Sequence, residues 1–201
     1  SDGGTESPGI ELMDFDLPDD DDPRRIAVRD WIAAHPSPTI EELHAAGYVV
    51  PHWPEPYGLD ADPIHQLIID DELSRAGIAR GGNAIGVGWA APTIHLAGSD
   101  WQKERFLDPI FTNQEIWCQL FSEPSAGSDI GNVRTRALRE GDEWVIDSQK
   151  VWTSWAQWAD WCFVVARVDP ESQRHKGLAY LMVPMHQEGV DVRPLRELTG
   201  R

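Results

Sequence analysis

Two short segments carry residue types that could hold a flat aromatic ligand with polar edges. The first, residues 120–131, reads Leu-Phe-Ser-Glu-Pro-Ser-Ala-Gly-Ser-Asp-Ile-Gly, a compact loop with Pro, Gly and three serines. The second, residues 144–154, reads Trp-Val-Ile-Asp-Ser-Gln-Lys-Val-Trp-Thr-Ser and runs from a strand-like stretch into hydroxyl and aromatic side chains. Serine hydroxyls donate and accept hydrogen bonds, glycine lets a ligand approach the backbone, and an indole stacks on planar rings. The two segments together predict a binding site for such a ligand.

Each feature also has a purely structural interpretation. Serines in a tight loop often bond to their own backbone, and for the first segment alone we give that interpretation equal weight. Four tryptophans recur at a spacing of three: Trp152, Trp155, Trp158 and Trp161. We interpret them as packing residues, except that Trp152 is placed to stack on a planar ring. Thr153 and Ser154 follow it and could bond to a heteroatom at the ring edge.

Two carboxylates in the first segment invite assignment as general acid and base. Nothing in the sequence brings Glu123 and Asp129 together, so we predict structural roles for both, with Asp129 bracing the turn. Three arginines on the next predicted strand are interpreted as solvated: Arg134, Arg136 and Arg139. The fingerprints of Rossmann enzymes, P-loop NTPases and α/β-hydrolases are absent from the sequence, which leaves those classes unsupported.

Charge is unevenly distributed along the 201 residues. The net charge is −17, and residues 1–22 contain nine acids and no Lys or Arg. We favour a solvated, flexible leader over an electrostatic arm for a basic partner. Without a basic stripe, binding to nucleic acid is disfavoured.

The cysteine, histidine and hydropathy patterns indicate the cellular compartment and whether a metal ion is bound. Cys118 and Cys162 stand among apolar residues, which predicts two buried thiols rather than a disulfide. The seven histidines lack ligand spacing, so no metal site is predicted. The absence of a long apolar run and of a signal peptide predicts no membrane span and a cytoplasmic protein, with the mitochondrial matrix left open.

Helix signals dominate the first 117 residues. Helices are predicted to begin at four caps: Asp22-Pro23, Thr39 with Glu42, Asp62-Pro63, and Ser99 with Gln102. The mostly apolar stretch 83–97 predicts a further, buried helix. The helix after Ser99 is expected to stop near Pro109.

After residue 117 the pattern changes to strands. Strands are predicted over 133–138, 143–152, 163–168, 176–183 and 190–195, the first two joined by a Glu-Gly-Asp turn. The prediction is therefore a multi-domain α and β protein: an acidic leader (1–22), an all-α helical domain (23–117) and a middle antiparallel, β-barrel-like domain (118–201). Because the last strand would be left as an open edge, we expect a truncated chain or a partner that covers it.

The same segments resemble a known family. Residues 120–129 resemble the first signature of the acyl-CoA dehydrogenases, typically (Leu/Val)-(Thr/Ser)-Glu-Pro-x-Ala-Gly-Ser-Asp, and residues 141–154 resemble the hairpin and flavin strand that follow it. Residues 49–58 and 71–76 are similar to a loop and a Glu-Leu-(Ala/Ser)-Arg helix of the family's helical domain. The resemblance covers roughly residues 24–201, with order and spacing kept.

The resemblance implies a noncovalent FAD enzyme that oxidises the Cα–Cβ bond of an acyl-CoA thioester. A carboxylate would remove the α-proton while the β-hydrogen leaves as hydride to flavin N5. Carried over residue by residue, it implies a flavin site formed by Gln119, Leu120, Phe121, Ser122, Gly127, Ser128, Trp152, Thr153 and Ser154. In that site Gly127 and Ser128 would contact the FAD pyrophosphate and the acyl-CoA, Trp152 would pack on the flavin ring, and Ser154 would approach N5 and O4. The family's catalytic Glu belongs to a C-terminal four-helix bundle absent from this chain, so no residue here inherits that role.

Two departures and several alternatives accompany the resemblance. Asp147-Ser148 replaces the common Asn-Gly turn, and Ser154-Trp155-Ala156 replaces the usual Thr-Asn-Gly run, where Trp155 would narrow the site or pack elsewhere. The implied partners are an acyl-CoA substrate, an electron-transfer flavoprotein or similar acceptor, and further subunits of a homo- or hetero-oligomer. An acyl-CoA oxidase, a flavin monooxygenase relative and a non-catalytic flavin-binding subunit stay open as alternatives.

Overall fold

The computed structural model describes residues 18–195, and helices make up its first part. They are α1 (Pro23–Ala34), α2 (Ile40–Ala45), α3 (Pro63–Arg75), a short π-helical turn (Gly86–Ala90), α4 (Ala91–Ala97) and α5 (Asp100–Phe111). All four predicted helix starts are confirmed. The Asp22 carboxylate accepts from the amide of Arg24, and the Asp62 carboxylate caps α3 in the same way. Both predicted capping boxes form, at Thr39 and at Ser99.

Two helix predictions differ from the structure in detail. The predicted helix over 83–97 forms from residue 84 to residue 97, but it contains a π-helical turn, Gly86–Ala90, that runs directly into α4. The Asn83 side chain accepts from the Gly86 amide at its start. The helix after Ser99 does end near Pro109, as predicted, but the proline lies inside its last turn, since α5 continues to Phe111. Buried side chains on both sides of this proline hold the last turn in place, and packing of this kind outweighs the lost backbone hydrogen bond.

The N-terminal helix is pinned to α3 by a buried cation. The side chain of Arg25 is 2% exposed and donates to Asp71 at 2.5 Å and to Glu72. Arg29 bridges Glu72 and Asp20, at 2.9 and 2.5 Å. The end of the acidic leader is thus bound to the helices, whereas residues 1–17 lie outside the described range.

The second part is a sheet centred on one strand. Its strands are β1 (Trp117–Leu120), β2 (Arg136–Glu140), β3 (Glu143–Asp147), β4 (Trp161–Arg167) and β5 (Leu178–Pro184). β4 pairs in parallel with β1 and, at one position, with β2, while β5 runs antiparallel along its other edge. β2 and β3 form the predicted antiparallel hairpin.

The order of a helical domain followed by a β-rich domain is confirmed, and the sheet is mixed rather than antiparallel. The reason is β1, which the sequence pattern did not predict. Between β1 and β4 the chain makes a long excursion through residues 121–160, and a connection of that length is what two parallel neighbours require. Of the other predictions, the strand from residue 143 ends at Asp147, and residues 190–195 form no strand.

The sheet separates two apolar layers. On one face Trp117 and Phe163 join the large core of the helical part. On the other face Cys118 and Cys162, which are register partners in β1 and β4, pack with Ala156, Ala159 and Met185. Both thiols are free and buried, as predicted.

The described range offers neither a membrane-spanning helix nor a cluster of His, Cys, Asp or Glu metal ligands. Within residues 18–195, no helix has the length and apolar character needed to cross a bilayer. In the same range, no group of three or more His, Cys, Asp or Glu residues is arranged to hold a metal ion.

Candidate functional site

A buried carboxylate organises the loop that follows β1. Glu123 is 7% exposed and accepts hydrogen bonds from the backbone amides of Arg134 and Thr135, at 2.7 and 2.9 Å. The Thr135 hydroxyl donates to the same carboxylate. These bonds close residues 123–135 into a loop whose two ends meet at one side chain.

A buried lysine joins that loop to the second motif segment. Lys150 Nζ donates to Glu123 Oε1 and to the carbonyls of Phe121 and Val165, each at 3.0 Å. Next to it, the Val151 amide donates to the Ser122 carbonyl at 2.9 Å. Lysine offers three N–H donors, and here all three are used. The two segments singled out in the sequence are therefore tied together at the end of β1.

The Glu123 carboxylate stays ionised in the folded protein. Burial acts to raise the pKa of Glu123, but hydrogen bonds from Thr135, from the two backbone amides and from Lys150 bring it down to about 2. Burial lowers the pKa of Lys150, and its hydrogen bond to Glu123 opposes that shift. A carboxyl group that is ionised at neutral pH and fully hydrogen-bonded cannot serve as a general acid, so Glu123 has the structural role that was predicted.

Asp129 braces its turn, as predicted. It accepts from the side-chain amide of Asn132, and its carbonyl accepts from the Asn132 backbone amide at 3.1 Å. These contacts fix a single 3₁₀ turn, Ile130–Asn132, behind the glycine and serine of the motif.

The predicted site residues on β1 divide between the two faces of the sheet. Gln119 is half-buried and faces the helical layer, as does Phe121, whose ring meets Phe163 edge-on at 5.4 Å. Leu120 points to the opposite face and packs with the layer around Cys162. Ser122 follows at the end of the strand and is half-buried. Gln119 and Phe121 are thus on one face, and Leu120 can approach a ligand there only through its backbone.

The glycine and serine of the first motif lie at the surface. Gly127 and Ser128 are both exposed, and a Cβ placed on Gly127 would meet no atom within 4 Å. The fold itself therefore does not need glycine at residue 127 for space. The opening beside it is wide enough for a ligand to approach the backbone directly.

The aromatic end of the second motif is irregular rather than a strand. Trp152 has a φ of 60° and Trp155 a φ of 72°, values that bulky side chains rarely adopt. Their exposed fractions are 73% and 43%. Thr153 between them is half-buried and Ser154 is exposed. Trp155 packs edge-on against Trp158, with the ring centroids 5.8 Å apart.

Two family models match this chain. One, described as acyl-CoA dehydrogenase, N-terminal domain, matches residues 23–114, and the other, acyl-CoA dehydrogenase, middle domain, matches residues 118–201. The chain belongs to the acyl-CoA dehydrogenase family. The resemblance read from the two motif segments is thereby confirmed.

Mycobacterial acyl-CoA dehydrogenases are among the similar proteins. The chain is 49% identical to acyl-CoA dehydrogenase FadE34 of Mycobacterium tuberculosis over 79% of its own length and 22% of that protein. It is 44% identical to acyl-CoA dehydrogenase IpdE1 of the same organism, over 80% of this chain and 42% of the relative. The chain therefore spans less than half the length of these two curated relatives.

Solved structures of the family show the same arrangement. The ChsE4-ChsE5 complex from Mycobacterium tuberculosis aligns with a TM-score of 0.72 and 31% identity, over 94% of this chain and 52% of that one. A structure described as Tcur3481-Tcur3483 steroid ACAD aligns with a TM-score of 0.69 and 29% identity, over 88% and 50% of the two chains.

Two residues whose side chains hold the motif segments together, Lys150 and Thr135, received no role from the sequence. Arg134, which was interpreted as solvated, contributes its backbone amide to Glu123. Lys150 could have been singled out from the sequence, because it is a lone lysine between the predicted ligand-binding residues 119–128 and 152–154. Its partner could not be identified, because Glu123 is 27 residues away in the chain.

Proposed function

We propose that this chain forms the flavin- and acyl-CoA-binding part of an FAD-dependent acyl-CoA dehydrogenase that introduces an α,β double bond into an acyl-CoA thioester. The observation that carries the proposal is the buried Glu123–Lys150 pair, at 3.0 Å. It brings the loop with Gly127 and Ser128 and the segment with Trp152 and Ser154 to the same end of β1.

The residues at the end of β1 have the chemistry needed to bind the ring system of FAD. Gln119, Phe121 and Ser122 offer a half-buried surface for the ring system. The exposed indole of Trp152 is available to stack on it, and the Thr153 and Ser154 hydroxyls can bond to ring heteroatoms.

The loop that carries Gly127 and Ser128 has the chemistry needed to bind the pyrophosphate of FAD. Gly127 leaves room for close approach of its backbone, and Ser128 beside it presents an exposed hydroxyl to the FAD pyrophosphate and to acyl-CoA. FAD, when bound, supplies the acceptor for the hydride from Cβ. The side chains named here bind and orient the ring, and we assign none of them to removal of the α-proton.

The test is the absorbance of the purified holoprotein. We expect flavin absorbance bands in the near-ultraviolet and visible ranges. The visible band should bleach when an acyl-CoA is added under anaerobic conditions. A protein without flavin absorbance, both as isolated and after incubation with FAD, would overturn the proposal. A screen of acyl-CoAs by the same bleaching assay then identifies the acyl chain.

A second candidate is a flavin-binding subunit of a heteromeric dehydrogenase. It is favoured by the solved relative that is described as a complex of two components, ChsE4 and ChsE5. Light scattering of the purified protein, alone and with its co-purifying partners, distinguishes a homo-oligomer from a hetero-oligomer. Rapid peroxide formation with acyl-CoA would instead identify an oxidase, whereas a dehydrogenase reduces an electron-transfer flavoprotein or an artificial acceptor.

A further inference from the structure

Three sulfur-containing side chains lie together on the face of the sheet that is turned away from the helices. Cys118 of β1 and Cys162 of β4 are register partners, and both are free thiols with exposed fractions of 0% and 2%. Met185 packs in the same buried cluster and is 7% exposed. The chain contains two cysteines, so this cluster holds every thiol of the protein. The proposed flavin site uses none of the three side chains.

Strand pairing explains why the three sulfurs share one face. Cys162 pairs with Val183 of β5, and side chains alternate between the two faces along a strand. Met185 comes two residues after Val183 and therefore lies on the Cys162 face, where its amide continues the pairing by donating to the Asp160 carbonyl at 2.8 Å. Met182, by contrast, packs against the core on the helical face. The three sulfurs thus come from three adjacent segments of the sheet.

The two thiols are placed to share one ion. Interaction with Cys162, together with burial, raises the pKa of the Cys118 thiol. Neighbouring strands lie about 4.8 Å apart, and register partners project their side chains side by side. Two metal–thiolate bonds, each about 2.3 Å long, together span about 4.6 Å. One ion can therefore bridge the two sulfurs without a movement of the strands.

The ligand set selects a soft ion. Structural zinc takes four ligands, and residues 18–195 hold no group of three or more His, Cys, Asp or Glu residues arranged for a metal. Thiolate and thioether sulfurs, in contrast, select Cu(I). We propose that Cys118, Cys162 and Met185 form a binding site for one Cu(I) ion, which displaces the protons of the two thiols. This proposal is independent of the proposed function.

The cover over the sulfurs is thin and irregular. The two other members of the buried cluster are Ala156 and Ala159, whose side chains are single methyl groups. They belong to a turn segment in which the Ala156 amide donates to the Thr153 carbonyl at 3.2 Å and the Trp158 amide to the Trp155 carbonyl at 2.9 Å. Opening of a short segment held by few bonds costs much less free energy than unfolding of the sheet. The turn segment therefore provides the route by which an ion reaches the sulfurs.

The test is competition for Cu(I) between the purified protein and bicinchoninate, whose Cu(I) complex is coloured. The titration is done without oxygen and with ascorbate as reductant. We expect the unmutated protein to remove one Cu(I) ion per chain from bicinchoninate. The combined variant Cys118→Ala with Cys162→Ala contains no thiol and should remove none at the same competitor concentration. Circular dichroism of the variant verifies that it is folded.

Two conservative variants provide a matched comparison that keeps both thiols. Met185→Leu removes the third sulfur, whereas Met182→Leu removes a sulfur from the opposite face of the sheet, and leucine replaces methionine in cores at little cost. We expect Met185→Leu to weaken Cu(I) binding by roughly ten-fold or more, since even groups that only support a metal ligand contribute that much. Met182→Leu should bind Cu(I) as the unmutated protein does. X-ray absorption at the copper edge should show sulfur neighbours only.

Each of three titration results would overturn the proposal: Cu(I) that stays with bicinchoninate, equal uptake by the thiol-free variant, or equal affinity in Met185→Leu and Met182→Leu. Nitrogen or oxygen neighbours in the X-ray absorption spectrum would also overturn it, because they place the ion outside the sulfur cluster. None of these measurements involves flavin or an acyl thioester, so failure of the proposed function leaves their outcome unchanged.

Discussion

Lys150 Nζ lies 3.0 Å from Glu123 Oε1, and the two side chains are only 3% and 5% exposed. This pair links the two motif segments, and the whole β2–β3 hairpin lies between its two members in the chain. Loss of either charge leaves the other buried without its partner.

Replacing Lys150 should unfold the site. We expect Lys150→Met to lower the free energy of unfolding by about 3–5 kcal/mol, because it leaves the Glu123 carboxylate buried and unpaired. Urea denaturation monitored by tryptophan fluorescence measures this change. Lys103→Met is the matched control: its ammonium lies 3.9 Å from Asp100 at the surface, so its loss should cost about 1 kcal/mol or less. Equal losses in the two variants would contradict the structural role of Lys150.

Acid should weaken the protein through Glu123. Its pKa is about 2 in the folded chain, against about 4.3 for an unperturbed glutamate. A carboxyl group whose pKa is lower in the folded state stabilises it above the unfolded pKa, and the contribution disappears as the pH falls toward the folded pKa. We expect the unmutated protein to lose about 2 kcal/mol more than Glu123→Gln between pH 6 and pH 3 in urea denaturation. Parallel pH profiles of the two proteins would show that Glu123 does not carry this dependence.

Relief of backbone strain should stabilise the aromatic segment. Trp155 has a positive φ and Trp158 does not, although the two share one aromatic contact. We expect Trp155→Asn to leave the protein about 1 kcal/mol more stable than Trp158→Asn, because asparagine tolerates the left-handed conformation. Thermal unfolding of both variants provides the comparison. The reverse order would mean that the conformation of Trp155 carries no strain.

Gly127 should be required for ligand binding and not for folding. Because a Cβ there meets no protein atom within 4 Å, Gly127→Ala should change the free energy of unfolding by about 0.5 kcal/mol or less. If the FAD pyrophosphate approaches this backbone, the same change should weaken FAD binding by roughly ten-fold. Equilibrium dialysis with FAD tests it, with Gly131→Ala as the control, since a Cβ there meets its nearest atom at an ordinary 3.4 Å. Normal FAD affinity in Gly127→Ala would remove Gly127 from the site.

Trp152 should contribute to FAD affinity by stacking. Removing one aromatic stacking contact corresponds to roughly a two- to ten-fold weaker complex, so we expect that change for Trp152→Ala. Trp158→Ala, also at an exposed indole, should leave the affinity unchanged. Flavin fluorescence during reconstitution of the apoprotein reports both. Equal effects would place the flavin away from Trp152.

Local signals in the sequence determined where the helices begin and which residues form the motifs. A cap such as Asp22-Pro23 or Thr39 with Glu42 acts over three or four residues, so it can be read from neighbouring positions. The motif order, from residue 120 to residue 154, was enough to identify the family. The cysteine prediction held for the same reason, because the apolar neighbours of each thiol are visible in the sequence.

The tertiary structure alone decided how those motifs are assembled. The parallel pairing of β1 with β4 and the Glu123–Lys150 pair each join residues about 25 or more positions apart. Their partners are chosen by the path of the chain between them and by burial, and no local pattern encodes that choice. The sequence by itself thus determined the family and the positions of its two motif segments, and the fold decided which charges hold those segments together.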